Sequence, residues 1–285
     1  MSRRLLALIL GVVLVSGIVL LLMRKPEAPV APVTPTTLTP MRSVIGSSVQ
    51  GRSIEAYTYG SGTTHFVFVG GIHGGYEWNS VVLAYEMMDH LEQNPALMPS
   101  GAMVTIIPNA NPDGVFAVIG KEGRFAASDV PADAVTAPGR FNANKVDLNR
   151  NFDCKWKPEG TWRGATVSAG TSAFSEPEVR AIRDFALKQK PDAFIFWHSQ
   201  ADAVYASECT AGILPDTLVL MNAYASAAGY TPVDSFDAYP VTGDAEGWLA
   251  SIGIPAITVE LSTHETIEFD KNLAGVRALF SNYAK

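Results

Sequence analysis

The sequence predicts an α/β fold with a mixed, largely parallel central sheet and helices on both faces. Four short runs are continuously apolar rather than alternating, as expected for strands that are covered on both faces. Helical patterns lie between and after these runs, and such alternation of strand and helix is typical of a largely parallel sheet. The four runs are residues 66–69, 103–107, 193–197 and 256–259.

Three segments carry the apolar spacing of an amphipathic helix. These segments lie around residues 81–91, 179–185 and 273–283. Ser175 and Glu178 predict a capping box at the start of the second helix. Residues 44–59, with Gln50 and Gly51 at their centre, predict a leading β-hairpin.

The first residues form an apolar leader. Residues 5–23 are a charge-free run of 19 residues, long enough to cross a hydrocarbon core of about 30 Å. A cleaved signal peptide is the alternative, but its apolar region is usually shorter, and prolines crowd every plausible cleavage site here. We expect an uncleaved transmembrane anchor, with residues 1–4 as a cytoplasmic tail and the folded domain on the extracytoplasmic side.

Residues 24–40 form the predicted linker, whose five prolines favour a stiff, extended spacer. Residues 41–285 show no repeat and no second linker, so we expect a single folded domain. Leaving out the four basic residues of the first 25 leaves 17 basic and 28 acidic residues, a net charge of −11. Such an acidic surface repels phosphate backbones and argues against a nucleic-acid partner.

The sequence has two cysteines, Cys154 and Cys209. In an oxidising compartment they would pair, and their separation in the chain does not exclude a disulfide. Two buried free thiols are the alternative.

Side chains that can bind a metal or transfer a proton follow the predicted strands. His73 and Glu77 come after the first run, His198 and Ser199 follow the third, and Glu260 follows the fourth. In largely parallel sheets, ligands bind at the carboxyl ends of the strands, where these residues would meet.

Many catalytic zinc sites have two histidines and one carboxylate as protein ligands, and a fourth position that stays open for water or substrate. His73, Glu77 and His198 would supply that set. The pattern is weak by itself, because a His and a Glu four residues apart are more often a surface pair. A lone histidine such as His198 is likewise more often a satisfied core residue.

Six segments in the same order strengthen the interpretation, and together they resemble the zinc metallocarboxypeptidase family of the carboxypeptidase A type. The resemblance spans residues 44–283. The segments are His73 to Glu77, Asn111-Pro112-Asp113-Gly114, Val146-Asp147-Leu148-Asn149-Arg150-Asn151-Phe152, His198-Ser199, Tyr239 with Trp248, and Thr258-Val259-Glu260-Leu261. Any one of these matches could arise by chance, but six matches in the same order are not expected by chance.

The resemblance implies a role for each matching residue and a catalytic domain at 41–285 that holds one zinc. His73, Glu77 and His198 would bind the metal, and Glu260 would be the general base. Arg140 would polarise the scissile carbonyl, and Asn149 and Arg150 would bind the terminal carboxylate of the substrate. Other parts of the substrate would be contacted by Ser199, Tyr239 and Glu246.

One departure from the family pattern concerns the first motif. The family normally has two residues between the first His and the Glu, whereas His73 and Glu77 are separated by three. Gly74 and Gly75 could let the loop bulge and restore the geometry. Otherwise Glu77 would be displaced and the metal site compromised. We expect the bulge, since the other catalytic elements are present.

The expected substrate is a peptide or a peptidoglycan peptide. Glu246 occupies the position that lines the side-chain pocket in the resembling enzymes, and a carboxylate there would favour a cationic terminal residue. Its alternative role is a simple one, since an acid in the first turn of a helix is favoured by the helix dipole.

Two other functions stay open at this point. One is a zinc amidohydrolase that deacylates N-acyl amino acids, which would also need an arginine for the carboxylate. The other is a non-catalytic peptide-binding relative, which the altered spacing of His73 and Glu77 favours and the intact Glu260 disfavours.

Overall fold

A computed structural model describes residues 38–283, apart from the side chain of Tyr283. The predicted tail and anchor, residues 1–4 and 5–23, and most of the predicted linker at 24–40 lie outside this range. Within residues 38–283, none of the helices combines the length and the apolar character needed to cross a bilayer.

The described residues contain one sheet of eight strands and two small two-stranded sheets. The strands are β1 Met41–Ser47, β2 Ser53–Gly60, β3 Thr64–Val69, β4 Ala102–Ile107, β5 Glu159–Trp162, β6 Ala165–Ser168, β7 Ala193–Ser199, β8 Ala203–Ala206, β9 Glu208–Cys209, β10 Gly212–Ile213, β11 Thr231–Val233 and β12 Ala256–Leu261. The large sheet has the order β1-β2-β4-β3-β7-β12-β8-β11. The pairs β4-β3, β3-β7, β7-β12 and β8-β11 are parallel and the other three are antiparallel, so the predicted mixed, largely parallel sheet is confirmed.

The four predicted buried strands are the centre of this sheet. Each apolar run lies inside one of β4, β3, β7 and β12, and every residue of Ala193–Ser199 is buried. The leading hairpin also forms, from β1 and β2 paired antiparallel. Its turn contains Gly51, whose φ of 82° is a conformation that glycine adopts without strain.

The described residues contain six α-helices, and they cover both faces of the sheet. They are α1 Trp78–Gln93, α2 Pro112–Ile119, α3 Pro177–Gln189, α4 Pro215–Ala228, α5 Ala245–Ser251 and α6 Phe269–Tyr283. Side chains of α1, α4 and α6 pack in one apolar cluster. Side chains of α3 and α5 pack in a second cluster with the opposite sides of the same strands.

The predicted capping box at the start of α3 is wrong. The helix begins with Pro177, and its N-cap is Glu176, which forms no side-chain cap. Ser175 Oγ instead donates to Glu176 Oε1, and Glu178 Oε1 accepts from the Val49 N–H at 3.0 Å. A contact with the β1–β2 turn therefore takes the carboxylate that a capping box would have used.

Cys154 and Cys209 form a disulfide, with their Cα atoms 6.0 Å apart. The bond joins the segment that follows Arg150 to β9. The Gly243 N–H also donates to the Cys154 carbonyl at 2.7 Å, which ties the segment before α5 to the same place. Three stretches of chain are thereby held together on one side of the sheet.

Candidate active site

The loop after β3 accommodates the extra residue between His73 and Glu77. Gly74 has a φ of +47°, and residues Gly74–Glu77 form one 3-10 turn. A Cβ atom on Gly74 would lie 2.5 Å from the carbonyl oxygen of Gly139, so only glycine allows this close approach. The turn brings Glu77 Oε1 to 2.7 Å from His73 Nδ1. The expected bulge therefore forms.

His198, near the end of β7, completes a group of three candidate metal ligands with His73 and Glu77. These three side chains form the metal cluster. The Nδ1 atom of His198 lies 3.2 Å from His73 Nδ1 and 3.0 Å from Glu77 Oε2. Ligands 2.0–2.1 Å from a tetrahedral zinc stand about 3.3 Å apart, close to these separations. All three residues are buried, and their ligand atoms lie within 4.8 Å of one another. The donor set and its spacing fit a zinc ion.

Electrostatics also favour a cation at this cluster. Burial alone would raise the pKa of Glu77, but the two histidines beside it lower that pKa below its usual range. Burial alone would lower the pKa of His198, but Glu77 and Glu246 raise it well above the usual value. The carboxylates therefore attract positive charge to the cluster, which a divalent metal supplies.

Asp147 contacts both the metal cluster and Arg140. Its Oδ1 lies 3.4 Å from His73 Nε2, the ring nitrogen that faces away from Glu77. Its Oδ2 accepts from Arg140 Nε at 2.9 Å. Burial alone would raise the pKa of Asp147, but Arg140 and His73 hold it well below its usual range. Asp147 is therefore an ionised, fully buried anchor for two site residues.

Arg140 lies at the edge of the metal cluster, as its predicted role requires. Its Nη1 is 3.7 Å from Glu77 Oε1, and its guanidinium stacks over the Trp162 ring at 4.8 Å from the centroid. Only 4% of the residue is exposed. A buried guanidinium in this place can donate hydrogen bonds to an oxyanion that forms beside the metal.

Glu260 is the last residue but one of β12 and lies directly beside His198, its register partner in β7. Its Oε2 atom is buried and has no hydrogen-bond partner among the described residues. Burial raises the pKa of Glu260 to about 7, and the charge on Glu77 adds to that rise while His198 opposes it. A carboxylate with a pKa near neutrality can both accept and release a proton.

Asn149 and Arg150 lie on a 3-10 turn on the other side of the cavity. Arg150 donates to the carbonyl oxygens of Asn149 at 2.6 Å and of Thr161 at 3.3 Å. Its Nε is buried without a partner, and no acidic side chain within residues 38–283 forms an ion pair with it. A buried guanidinium with no acidic partner is costly unless a ligand supplies the anion.

One cavity of about 560 Å³ brings the predicted site residues together. The residues predicted to bind metal, act in catalysis or contact substrate all line it: His73, Glu77, Arg140, Asn149, Arg150, His198, Ser199, Tyr239, Glu246 and Glu260. Tyr239 is partly exposed and packs against the Phe236 ring at 4.8 Å between centroids.

Ser199 lines the cavity but its hydroxyl already has two partners. It donates to Asn79 Oδ1 at 3.0 Å and lies 2.7 Å from His264 Nδ1. His264 Nε2 in turn lies 3.1 Å from the Tyr76 hydroxyl. These contacts link the loop after β3 to the segment after β12. They also occupy hydrogen-bonding positions of the Ser199 hydroxyl, so fewer remain for a substrate than the sequence suggests.

Sequence reasoning missed three parts of this site. Asp147 lies inside a recognised motif, but nothing in the spacing shows that it reaches both His73 and Arg140. The β5–β6 hairpin, which brings Trp162 over Arg140, is too short to give a periodic signal. His264 lies four residues after Glu260, and a histidine so near a predicted base was the available signal.

Comparison with known proteins assigns the chain to a family. Residues 39–273 match the family model described as zinc carboxypeptidase. The chain therefore belongs to the zinc carboxypeptidase family. This family uses one zinc, and His73, Glu77 and His198 form the fitting metal site.

Individual relatives are distant. The chain is 22% identical over 244 residues to gamma-D-glutamyl-L-diamino acid endopeptidase 1 of Lysinibacillus sphaericus, covering 77% of this chain and 60% of the relative. It is 27% identical over 221 residues to carboxypeptidase B of Helicoverpa zea, covering 67% of this chain and 49% of the relative. The chain thus spans 60% of the length of the first relative and 49% of the second.

Solved structures show the same fold. Murein-tripeptide amidase MpaA from Escherichia coli O157 superimposes with a TM-score of 0.65 at 22% identity, covering 92% of this chain and 98% of that chain. Bovine thrombin-activatable fibrinolysis inhibitor gives 0.69 at 19% identity, covering 85% and 90% of the respective chains. Carboxypeptidase A from Helicoverpa armigera gives 0.66 at 19% identity, covering 88% and 70%.

Proposed function

We propose that this protein is a zinc metallocarboxypeptidase that hydrolyses the C-terminal peptide bond of peptides or cell-wall peptides. The observation that carries the proposal is Arg150, a buried guanidinium that forms no ion pair with an acidic side chain within residues 38–283 and lines the same cavity as the metal cluster. A terminal carboxylate would give it a bidentate, charge-assisted partner. An endopeptidase has no need of such an anion-binding group at the end of its cavity.

The reaction then uses the residues around the cavity. When bound, zinc supplies the Lewis-acid polarisation of the scissile carbonyl and of the attacking water. Glu260 takes a proton from that water and passes it to the leaving amine. Arg140 donates to the oxyanion, a contribution of about 3 kcal/mol per donor in other enzymes.

Substrate binding uses the opposite side of the cavity. Arg150 and Asn149 hold the terminal carboxylate, and Tyr239 covers the bound residue from the partly exposed edge. Two of the relatives named above act on cell-wall peptides or on diamino-acid bonds by their names, and one is a carboxypeptidase B. These names support a peptide or cell-wall peptide as the substrate.

A preference for a basic terminal residue is the finer part of the proposal. Glu246 lines the cavity, and only 3% of the residue is exposed to solvent. An ammonium group of the substrate would therefore contact its carboxylate in a poorly solvated environment. Burial alone would raise the pKa of Glu246, but His198 lowers it, so the group carries a negative charge. Peptides ending in Lys should then be cleaved faster than those ending in Leu.

The test compares a peptide with its C-terminally amidated form. Amidation should remove most of the turnover, because Arg150 loses a partner worth about 1.5–3 kcal/mol. Arg150→Ala should reduce kcat/KM for the free acid and leave the poor cleavage of the amide unchanged. Equal cleavage of both peptides by the unmodified protein would contradict carboxypeptidase activity.

Two other functions remain distinguishable by the same material. An amidohydrolase would release acyl groups from N-acyl amino acids and leave peptides intact. A non-catalytic relative would bind peptides without turnover, whether or not it held zinc. Glu260 lies beside His198, and its Oε2 atom is buried without a hydrogen-bond partner among the described residues, which supports catalysis over simple binding.

The membrane anchor at residues 5–23 and the extracytoplasmic placement of the domain are a separate proposal. The length and apolar composition of that segment support it. Fractionation of the producing cells should find the protein in the membrane, with the domain accessible to external protease. Deleting residues 1–40 should release it, whereas recovery of the intact protein from the soluble fraction would contradict anchoring.

A further inference from the structure

Glu246 contacts three groups inside the cavity wall. Its Oε1 lies 3.2 Å from His198 Nε2 and accepts from Thr258 Oγ1 at 3.1 Å. Its Oε2 accepts from Asn149 Nδ2 at 3.3 Å. The carboxylate therefore lies between a metal ligand and a residue proposed to bind the terminal carboxylate.

This arrangement repeats, on the second histidine, what Asp147 does on the first. Asp147 faces His73 Nε2 and binds Arg140, whereas Glu246 faces His198 Nε2 and binds Asn149. In both cases one buried carboxylate joins a ligand histidine to a residue on the substrate side. The Nδ1 atoms of both histidines are then left to face the metal cluster.

The Glu246 carboxylate is the close charged neighbour of His198 Nε2, with Oε1 3.2 Å away. That nitrogen is buried, and the approach falls short of hydrogen-bond geometry, so His198 Nε2 has no hydrogen-bond partner among the described residues. A carboxylate on the outer nitrogen of a ligand histidine fixes the ring orientation and raises the basicity of the ligating nitrogen. Thr258 and Asn149 in turn hold the carboxylate itself in place.

We propose that Glu246 is a positioning residue for the metal site, which orients His198 and couples it to Asn149. The proposal rests on the zinc site of the proposed function. It does not exclude a contact with a basic substrate, since a carboxylate offers about four acceptor positions and the three contacts leave about one. It does assign to Glu246 an effect on metal affinity, which a pure side-chain reader lacks.

The experiment measures zinc affinity by chelator competition in Glu246→Ala, Glu246→Gln and the unmodified protein. Loss of the carboxylate should weaken zinc binding by about 10–100-fold in the alanine variant, and less in the glutamine variant, which keeps an acceptor oxygen. The visible absorption bands of the cobalt-substituted protein should also shift in the alanine variant. Glu208→Gln is the matched control, because Glu208 lines the same cavity and contacts Ser235 rather than a ligand.

Thr258→Val provides a second route that leaves Glu246 in place. It removes the hydroxyl that holds Oε1, and it should weaken zinc binding in the same direction by a smaller factor. If Glu246→Ala does not fold, Glu246→Gln and Thr258→Val decide the question. Zinc affinity equal to that of the unmodified protein in the folded Glu246 variants would overturn the proposal.

Failure of the proposed function gives a different result. In that case the unmodified protein would hold no zinc or would not cleave peptides at all. A change in the Lys/Leu preference of Glu246→Gln, with unchanged zinc affinity and an unchanged cobalt spectrum, would assign Glu246 to substrate reading alone. That result too would overturn the positioning role.

Discussion

Arg140 directs two of its nitrogens to the same oxygen of Asp147, with Nε and Nη2 both 2.9 Å from Oδ2. The pair is buried, and Asp147 is completely inaccessible to solvent. The contact fixes the plane of the guanidinium and leaves Nη1 nearest to Glu77, 3.7 Å from its Oε1. The group predicted to stabilise the oxyanion is therefore oriented before any substrate binds.

Asp147→Asn should reduce both stability and activity. Breaking one half of a buried ion pair costs about 3–5 kcal/mol, because the remaining charge has no partner. The misplaced guanidinium and the unsupported His73 should also lower kcat/KM by about 10–100-fold. Urea unfolding and peptide hydrolysis measure the two effects. Asp113→Asn is the control: it breaks the partly buried pair of Asp113 with Arg52, 2.7 Å apart, and should destabilise the fold while sparing kcat/KM.

His73→Ala and His198→Ala should each abolish stoichiometric zinc binding. Each substitution removes one of the three protein ligands. The two ligands that remain are fewer than the three that a catalytic zinc site needs to hold the ion tightly. Metal analysis after dialysis gives the zinc content per chain. His65→Ala is a useful comparison, since His65 is equally buried but contacts Thr105 on β4 instead of the cluster. Zinc retained in either ligand variant would contradict the assignment.

Glu260→Gln and Glu77→Gln should have opposite signatures. The first should retain zinc and substrate binding but lower kcat by at least about 10²-fold, because a base is lost without a ligand. The second should lower metal affinity. The pKa of Glu260, raised by burial to about 7, also sets an expectation for pH dependence.

Only the deprotonated carboxylate of Glu260 can accept the proton from water. The value of kcat/KM should therefore fall as the pH drops through the pKa of Glu260. The positive charge of a bound metal lowers that pKa, so the midpoint should lie at or below about 7. The residual activity of Glu260→Gln should lack this limb, and an unchanged profile would mean that another group is the base.

Gly74→Ala should disturb the metal site through the backbone. The added methyl would collide with the carbonyl of Gly139 at 2.5 Å and would also strain a left-handed backbone. We expect weaker zinc binding, since the turn that brings Glu77 to His73 must shift. Gly120→Ala separates the two causes, because Gly120 also has a positive φ, +72°, but nothing lies within 4 Å of the new methyl. That control should lose stability without losing zinc affinity.

Removing the disulfide should lower the free energy of unfolding. Cys154 and Cys209 are 55 residues apart in the chain. A loop of that length corresponds to about 4 kcal/mol in the chain-entropy account, within the usual range for native disulfides. The Cys154→Ala/Cys209→Ala protein and the reduced wild-type protein should unfold at the same lower urea concentration. A reductant should then have no effect on the double variant.

The sequence was a good guide to the sheet and to the membership of the site. Buried strands are continuously apolar, and residues that end adjacent parallel strands must meet at one edge, so His73, His198 and Glu260 could be placed together. The capping box at Ser175 failed because a tertiary contact with Val49 outweighs a local rule. Asp147 and His264 could not be assigned, since Asp147 reaches His73 and His264 reaches Tyr76, and both of these partners are far away in the chain.

The ligands His73 and His198 are 125 residues apart; His73 lies in the loop after β3, and His198 lies near the end of the neighbouring strand β7. Parallel pairing across so long a connection forms slowly, because the chain loses much entropy before the contacts reward it. No short nascent segment can capture the metal, unlike a zinc finger whose ligands are close in sequence. Zinc should therefore leave the rate of folding almost unchanged and act mainly by slowing unfolding, as expected for an interaction completed after the transition state.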